Sequence, residues 1–407
     1  MLVLVINCGS SSVKYDLIEA SEKKEICHGV IERIGAVTSI VKHEPLDGEK
    51  IKDTKVISNH GEALQEILDY LLKSDEKIIS SPSDIKAVGH RVVHGGEMFK
   101  DSVLIDDEVK DAIKQAFDLA PLHNPPNLKG IQAAQERLPD VPHVAVFDTA
   151  FHQSIPSKAY MYGIPNRLYR RHKIRRYGFH GTSHYYVSRQ YYKMTDKPKS
   201  KTKVITCHLG NGASIAAIEG GESKDTSMGF TPLSGLVMGT RSGDLDPSIL
   251  FYIVEKEELP LNSLHAMLNR HSGLLGLSGY ASDMRDLVSE AQNGDRRCQQ
   301  AIDVFCYNIK RYIGSYLATL NGCDAIIFTA GIGENSPLIR EKSLENLDGL
   351  GIEIDRKRNK DVEPGKTSKI SSDSSKTDVF VIPTNEELVI AIDAAKLAMA
   401  HDQSPWV

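Results

Sequence analysis

The chain has 407 residues, 41% hydrophobic and 25% charged, with 49 Lys+Arg against 54 Asp+Glu and a formal net charge of −5. That length allows two or three domains, and the composition excludes a disordered or fibrous chain. The mild acidity without a basic stripe argues against nucleic acid as the main partner, and no apolar run approaches the ~18–20 residues of a membrane helix.

The elements follow in chain order. The apolar run at 2–6 has no basic flank and meets Asn7 at once, so it reads as a first strand (3–6) and not as a signal peptide. A second strand at 13–18 follows the polar turn 7–12. Residues 60–72 form a helix with Leu64, Ile67, Leu68 and Leu71 on one face, and 106–119 and 127–138 also read as helical. A short apolar strand at 144–147 ends at Asp148, and 204–207 opens a second strand series. Asp246-Pro247 starts a helix. A long helix spans 296–320, a strand spans 325–328, and a closing helix spans 386–400. The Lys-rich stretch 195–203 and the Ser- and Lys-rich stretch 361–378 read as exposed connections. Strands alternating with helices predict an α/β architecture. The six cysteines are scattered with no C-x-x-C pair, which predicts the reduced thiols of a cytoplasmic protein.

The chain also carries an internal echo. A shift of 201 residues puts Gly9 on Gly210 and residues 4–11 over 205–212, both reading as strand, Gly-containing polar turn, strand. Two unrelated hairpins and a duplicated α/β domain both account for it.

Several polar segments follow strands. Asn7-Cys8-Gly9-Ser10-Ser11-Ser12-Val13-Lys14 offers backbone N–H groups, hydroxyls and a lysine to an anion, or is a Ser-rich hairpin with a surface lysine. Arg91, among the glycines of Gly89–Gly96, either clamps an oxyanion or forms a structural pair with a carboxylate. Asp148, at a strand end, is a catalytic acid or a helix cap. His180 and His184 in Tyr177-Gly178-Phe179-His180-Gly181-Thr182-Ser183-His184 have i, i+4 spacing but lack the third ligand and the Glu of a zinc motif, so zinc is disfavoured. His208-Leu209-Gly210-Asn211-Gly212 is a phosphate-approaching turn or an ordinary Asn-Gly hairpin. Arg241 supplies a second guanidinium. Gly331-Ile332-Gly333-Glu334-Asn335 follows a strand where a nucleotide base or sugar fits. Glu386 and Glu387 stand at a helix N-terminus as dipole-complementing caps or metal-linked groups. No G-x-x-x-x-G-K-[ST] motif and no G-x-G-x-x-G after a strand is present. Taken together, these parts suit phosphoryl transfer.

NCGSSSVK at 7–14, GHRVVHGG at 89–96, VFDTAFH at 146–152, YGFHGTSH at 177–184, HLGNGAS at 208–214, MGTRSGDLDP at 238–247, TAGIGEN at 329–335 and PTNEE at 383–387 span the chain. With them it resembles the acetate/propionate/butyrate kinase family, and acetate kinases in length. The resemblance implies a duplicated ribonuclease-H-like fold of the actin, heat-shock chaperone and sugar kinase superfamily, with an interdomain active-site cleft. It implies an N-terminal domain of 1–150 plus 386–407 and a C-terminal nucleotide-binding domain of 151–385. It further implies a cytoplasmic homodimer, with acetate and acetyl phosphate, ATP and ADP as substrates, Mg²⁺ as cofactor and Mn²⁺ as a substitute. In that family pattern Asn7 and Glu386 belong to the magnesium site, and Asp148 is the catalytic acidic residue. Arg91 and Arg241 hold the acyl phosphate, and His180 and Arg241 stabilise the transition state. His208, Leu209, Gly210, Asn211, Gly212, Asp283, Met284, Arg285 and Gly331 to Asn335 bind ATP, with Lys14 nearby. Val93, Leu122, Phe179 and Pro232 wall the acyl pocket.

Overall fold

The structure is a computed structural model that describes residues 1–46, 48–73, 78–195 and 197–402. The chain divides into two compact units, Met1–Ala150 with the segment from Asn385 onward, and Phe151–Thr384.

The first unit is built on β1 (Leu2–Cys8), β2 (Ser12–Glu19), β3 (Lys24–Glu32), β4 (Ser39–Pro45), β5 (Ile51–Lys55), β6 (Ile85–Val92), β7 (Val103–Leu104) and β8 (His143–Phe147). Their order across the sheet is β5-β4-β3-β2-β1-β6-β8-β7. The second unit is built on β9 (Lys203–Leu209), β10 (Ala213–Glu219), β11 (Glu222–Thr226), β12 (Ala325–Thr329), β13 (Ser368–Lys369) and β14 (Asp378–Val381), in the order β11-β10-β9-β12-β14-β13.

The two sheets share one plan. β1 pairs antiparallel with β2 and parallel with β6, and β6 pairs parallel with β8. Likewise β9 pairs antiparallel with β10 and parallel with β12, and β12 pairs parallel with β14. β9 starts 201 residues after β1 and β10 starts 201 after β2. The echo in the sequence is therefore a repeated hairpin in the same sheet context. Val3, Leu4, Val5 and Ile6 are all buried, as a strand covered on both faces requires.

Leu64, Ile67, Leu68 and Leu71 of the helix His60–Lys73 are buried in a core with Leu4, Ile6, Val13 and Leu17 of β1 and β2. In the second unit, Val187 and Tyr191 of the helix Gly181–Met194 pack with Val204 of β9, Ala216 of β10 and Ile327 of β12.

Three expectations need correction. The helix expected over 106–119 is Asp107–Gln115, because the bonds from Phe117 to Lys114 and from Leu119 to Ala116 tighten into i, i+3 turns. The next helix starts earlier than expected, at Asn124, since prolines at its first positions remove only N–H groups that have no helical partner. The stretch 361–378 is not wholly exposed, because Ile370 and Ser371 are buried beside the β13–β14 pair. Elsewhere the long helix is Arg296–Leu320, and Asp246 caps a helix that begins at Pro247. All six cysteines are free thiols.

The final helix, Glu386–Asp402, lies on β6, β8 and β1. A Cβ added at Gly89 of β6 would stand 2.5 Å from Ile390 Cγ2 and 3.3 Å from the Ile390 carbonyl oxygen. Gly89→Ala should therefore cost ~1–3 kcal/mol, read as a lower midpoint of urea unfolding at unchanged slope.

Candidate active site

In the first unit, three neighbouring strands bring their polar ends together. β1, β6 and β8 run parallel, and the region beyond the carboxyl ends of such strands is where α/β folds place ligands. Asn7 is the next-to-last residue of β1, Arg91 lies near the end of β6, and Asp148 follows β8. Arg91 Nε is 3.1 Å from Asp148 Oδ1 and its Nη2 is 2.6 Å from Oδ2, a bidentate pair. Nη1 of the same guanidinium donates to Asn7 Oδ1 at 3.5 Å. Burial works against the Arg91 charge, but Asp148, with Glu386 and Glu387 behind it, outweighs burial and holds the guanidinium above its usual pKa. The Arg–carboxylate pair is thus present, and Arg91 keeps a quarter of its side chain exposed.

Arg91 also lines a cavity of about 280 Å³ with Asn7, Lys14, Asp16, Glu386 and Glu387. The two glutamates occupy the first turn of the final helix, where the helix dipole favours negative charge. Asp16 was not legible as a site residue. Burial, then Glu387 and Glu25, pushes its carboxyl up to about 7. Its one signal in the sequence is a charge two residues from Lys14, on the same face of β2.

Of the acyl-pocket residues in this unit, Val93 is buried and its N–H donates to Asn127 Oδ1 at 3.1 Å. Asn127 Nδ2 in turn donates to the Cys8 carbonyl at 2.7 Å, which links Val93 to the end of β1. Leu122 is 48% exposed, in the turn before the helix Asn124–Arg137.

The second unit gathers a second set. His180 adopts a left-handed backbone, φ +56°, at the start of the helix Gly181–Met194. Its ring stacks on that of His208 with centroids 4.1 Å apart. A Cβ added at Gly212 would lie 3.5 Å from His180 Nε2 and 3.6 Å from Arg241 Nη1, so both side chains flank this glycine. Arg241 Nη1 donates to the Pro232 carbonyl at 3.1 Å. Among the described residues no acidic side chain pairs with Arg241, and burial lowers its pKa. A partly buried guanidinium without a counterion is suited to receive an anion.

The glycine turns converge on the same place. Gly210 N–H bonds to the Gly212 carbonyl, and Gly239 N–H bonds to the Asn211 carbonyl, tying the β9–β10 turn to the Arg241 loop. Residues 330–335, which follow β12, form a short helix entered at Ala330, whose φ is +64°. Its Gly333 lies against Leu209 and the Cys207 carbonyl. Glu334 Oε1 accepts from the N–H groups of Ala330, at 2.7 Å, and Thr384, at 3.2 Å, so its carboxylate braces this turn. Asn335 Nδ2 closes back on the Gly331 carbonyl, while the space beside Gly331 is open.

Asp283 caps the helix Met284–Gln292, and Arg285 bonds to it three times, through its backbone N–H at 2.8 Å, Nε at 3.0 Å and Nη2 at 2.7 Å. Those bonds bring the Asp283 carboxyl down to about 2. Met284 is buried, and Phe179 is buried with its carbonyl accepting from His152 Nε2 at 3.0 Å. His184 lies with Nδ1 2.7 Å from Thr206 Oγ1 and Nε2 2.8 Å from Ser214 Oγ. Both of its ring nitrogens are therefore engaged by hydroxyls, which fits the weakness of the zinc spacing.

A sequence profile described as the Acetokinase family matches residues 2–392. The chain belongs to the acetokinase family. It is 53% identical to the acetate kinase of Natranaerobius thermophilus over 397 residues, covering 98% of this chain and 99% of that one. It superimposes on the crystal structure of Porphyromonas gingivalis acetate kinase with a TM-score of 0.93 and 44% identity, covering 97% and 99% of the two chains. A propionate kinase from Francisella tularensis gives a TM-score of 0.91 and 42% identity, with the same coverage. The duplicated ribonuclease-H-like class agrees with the two sheets and with these neighbours.

The oxygen donors of the first unit suit magnesium. Mg²⁺ takes oxygen ligands, keeps several waters, and is commonly held by one or two carboxylates together with substrate phosphates. Among the described residues no cluster of three or more His, Cys, Asp or Glu side chains forms a metal cage. Asn7 and Glu386 instead line one cavity beside Arg91, which matches a site completed by phosphate and water.

Proposed function

We propose that the protein transfers the γ-phosphoryl group of ATP to the carboxylate of acetate, reversibly, giving acetyl phosphate and ADP. One observation carries the reading beyond family membership. Arg241 is a partly buried guanidinium with no carboxylate paired to it among the described residues, held against a glycine turn and beside His180.

An acetate oxygen attacks the γ-phosphorus in line as the bond to the ADP oxygen breaks. Acetate is already ionised at neutral pH, so no side chain has to remove a proton from it. The protein's task is to position two anions and neutralise their charge. In this reading Arg91 and Arg241 hold the carboxylate and the transferring group, and His180 donates to a phosphoryl oxygen. His208 to Gly212, Asp283 to Arg285 and Gly331 to Asn335 hold the nucleotide, with Lys14 near its phosphates. Within these stretches the geometry assigns Glu334 and Asp283 bracing roles as well. Asn7 and Glu386 hold Mg²⁺, or Mn²⁺ in its place, directly or through water. When bound, the ion neutralises charge on the phosphate oxygens. Asp148 orients Arg91 through its bidentate pair. The active form is a cytoplasmic homodimer with no nucleic-acid or membrane partner, and no described helix is long and apolar enough to cross a membrane.

Trapping the product with hydroxylamine tests the reaction. ATP, Mg²⁺ and acetate should give acetohydroxamate, with one ADP for each acyl group. ATP hydrolysis without trapped acyl phosphate would favour a conformational ATPase of the chaperone or actin kind instead.

A propionate kinase uses the same chemistry with a larger acyl pocket, and Val93 tests the difference. If Val93, Leu122, Phe179 and Pro232 wall the pocket, acetate is preferred over propionate by ~10–200-fold, the usual discrimination for one methylene. Val93→Ala should then lower KM for propionate and butyrate and narrow the acetate-to-propionate ratio of kcat/KM. Lower stability with an unchanged ratio would make Val93 an ordinary core residue.

A further inference from the structure

His180 and His208 are held in the same way. His180 Nδ1 lies 2.9 Å from Ser214 Oγ, and His208 Nδ1 lies 2.8 Å from Ser183 Oγ. Both serines are fully buried. The pattern follows from local structure. Ser183 and His184 lie in the first turn of the helix Gly181–Met194, directly after His180, whose left-handed backbone precedes it. Thr206 and His208 share a face of β9, and Ser214 stands opposite His208 on β10.

Each serine has a further partner. Ser183 Oγ accepts from Thr384 Oγ1 at 2.8 Å, which leaves its own proton for His208 Nδ1. The proton of the neutral His208 ring then sits on Nε2. Ser214 stands between His180 Nδ1 and His184 Nε2, and His184 Nδ1 reaches Thr206 Oγ1. A hydroxyl with one proton and two imidazole neighbours must accept from one ring and donate to the other. Burial, with His152 and His208 adding to it, holds His184 well below the usual histidine pKa, so it carries one ring proton.

Two orientations of the chain satisfy these bonds. If His180 donates to Ser214, a neutral His180 ring is unprotonated at Nε2. If Thr206 donates to His184 Nδ1, then His184 Nε2–H donates to Ser214, and Ser214 donates to His180 Nδ1. His180 then carries its proton on Nε2. Only the second orientation lets a neutral His180 donate to a phosphoryl oxygen. Protonating both stacked rings would put two cations within 4.1 Å centroid separation, beside the Arg241 charge.

We infer that Thr206, His184 and Ser214, together with Thr384 and Ser183, are positioning residues that hold His180 and His208 as neutral Nε2–H tautomers, so that both rings donate to the phosphates without adding charge. This rests on the proposed role of His180 at the transferring group. The relay begins at the Thr206 hydroxyl, which bonds to His184 Nδ1 and reaches His180 through His184 and Ser214, so it can be removed with the proposed reacting groups left in place.

Ring ¹⁵N NMR of the full-length protein, with His180 and His208 assigned by loss of their signals on substitution, reads the tautomers directly. In the unsubstituted protein both rings should show an unprotonated Nδ1 and a protonated Nε2. In Thr206→Val, His180 should shift toward a tautomer mixture and kcat should fall about fivefold, the effect of one neutral hydrogen bond, with KM for acetate little changed. Thr206→Ser should restore both signals and rate. A protonated Nδ1 on His180 in the unsubstituted protein overturns the inference whatever the variants do. So does an unchanged tautomer and kcat in a folded Thr206→Val protein. Near-full turnover in His180→Ala overturns instead the proposed role of His180, and leaves the tautomer assignment to stand on its own spectrum.

Discussion

Arg241→Ala should lose ~10²–10⁵ of kcat while the protein stays folded and still binds ATP, the range seen when a preorganised cation is removed from a phosphoryl-transfer site. The stability cost should be small, because among the described residues the Arg241 charge has no carboxylate partner to strand. Arg91→Ala should lose kcat in the same range, but it leaves the Asp148 carboxylate, 2% exposed, without its bidentate partner. The two variants therefore separate catalysis from stability. Both should lose turnover, and only Arg91→Ala should also lose a large share of its unfolding free energy. Near-full turnover in a folded Arg241→Ala protein would remove the foundation of the proposed mechanism. Kinetics with hydroxylamine trapping and urea unfolding on the same preparations make the comparison.

The second large effect concerns Asp148 and Glu386. Both oxygens of Asp148 are committed to Arg91. Asp148→Asn should therefore act on the guanidinium, lowering kcat by ~10²-fold or more. It should destabilise the protein by about 3 kcal/mol, the lower end for breaking a buried pair, since Arg91 remains partly exposed. Its magnesium titration should stay close to that of the parent. Glu386→Gln should do the reverse, raising the half-saturating Mg²⁺ concentration about tenfold, equivalent to ~1.4 kcal/mol, with little loss of stability. A raised magnesium requirement in Asp148→Asn would instead assign Asp148 to the metal.

The difference between these two carboxylates shows where sequence reading stops. Asp148 is legible as a candidate functional residue because an apolar strand delivers it to a strand end. Its partner is not legible, since a separation of 57 positions between Arg91 and Asp148 says nothing of the parallel pairing of β6 with β8. Asp16 and Ser214 were missed for a related reason. Each is a single polar residue in a strand, with no spacing to distinguish it from an ordinary alternating face.

By itself the sequence determined the α/β class, most of the long elements and the family resemblance, and it displayed an echo at a spacing of 201 residues that only the sheet pairing resolves as a repeated hairpin. Each of these depends on local patterning, on apolar period, turn residues and contiguous motifs, which a linear chain displays directly. The tertiary structure alone decided that Arg91 pairs with a carboxylate while Arg241, among the described residues, does not, that Glu334 braces a turn, and that two serines hold two stacked imidazoles. Those facts depend on which distant residues share a burial site. A buried charge or ring nitrogen must find its partner there, because no water remains to supply one.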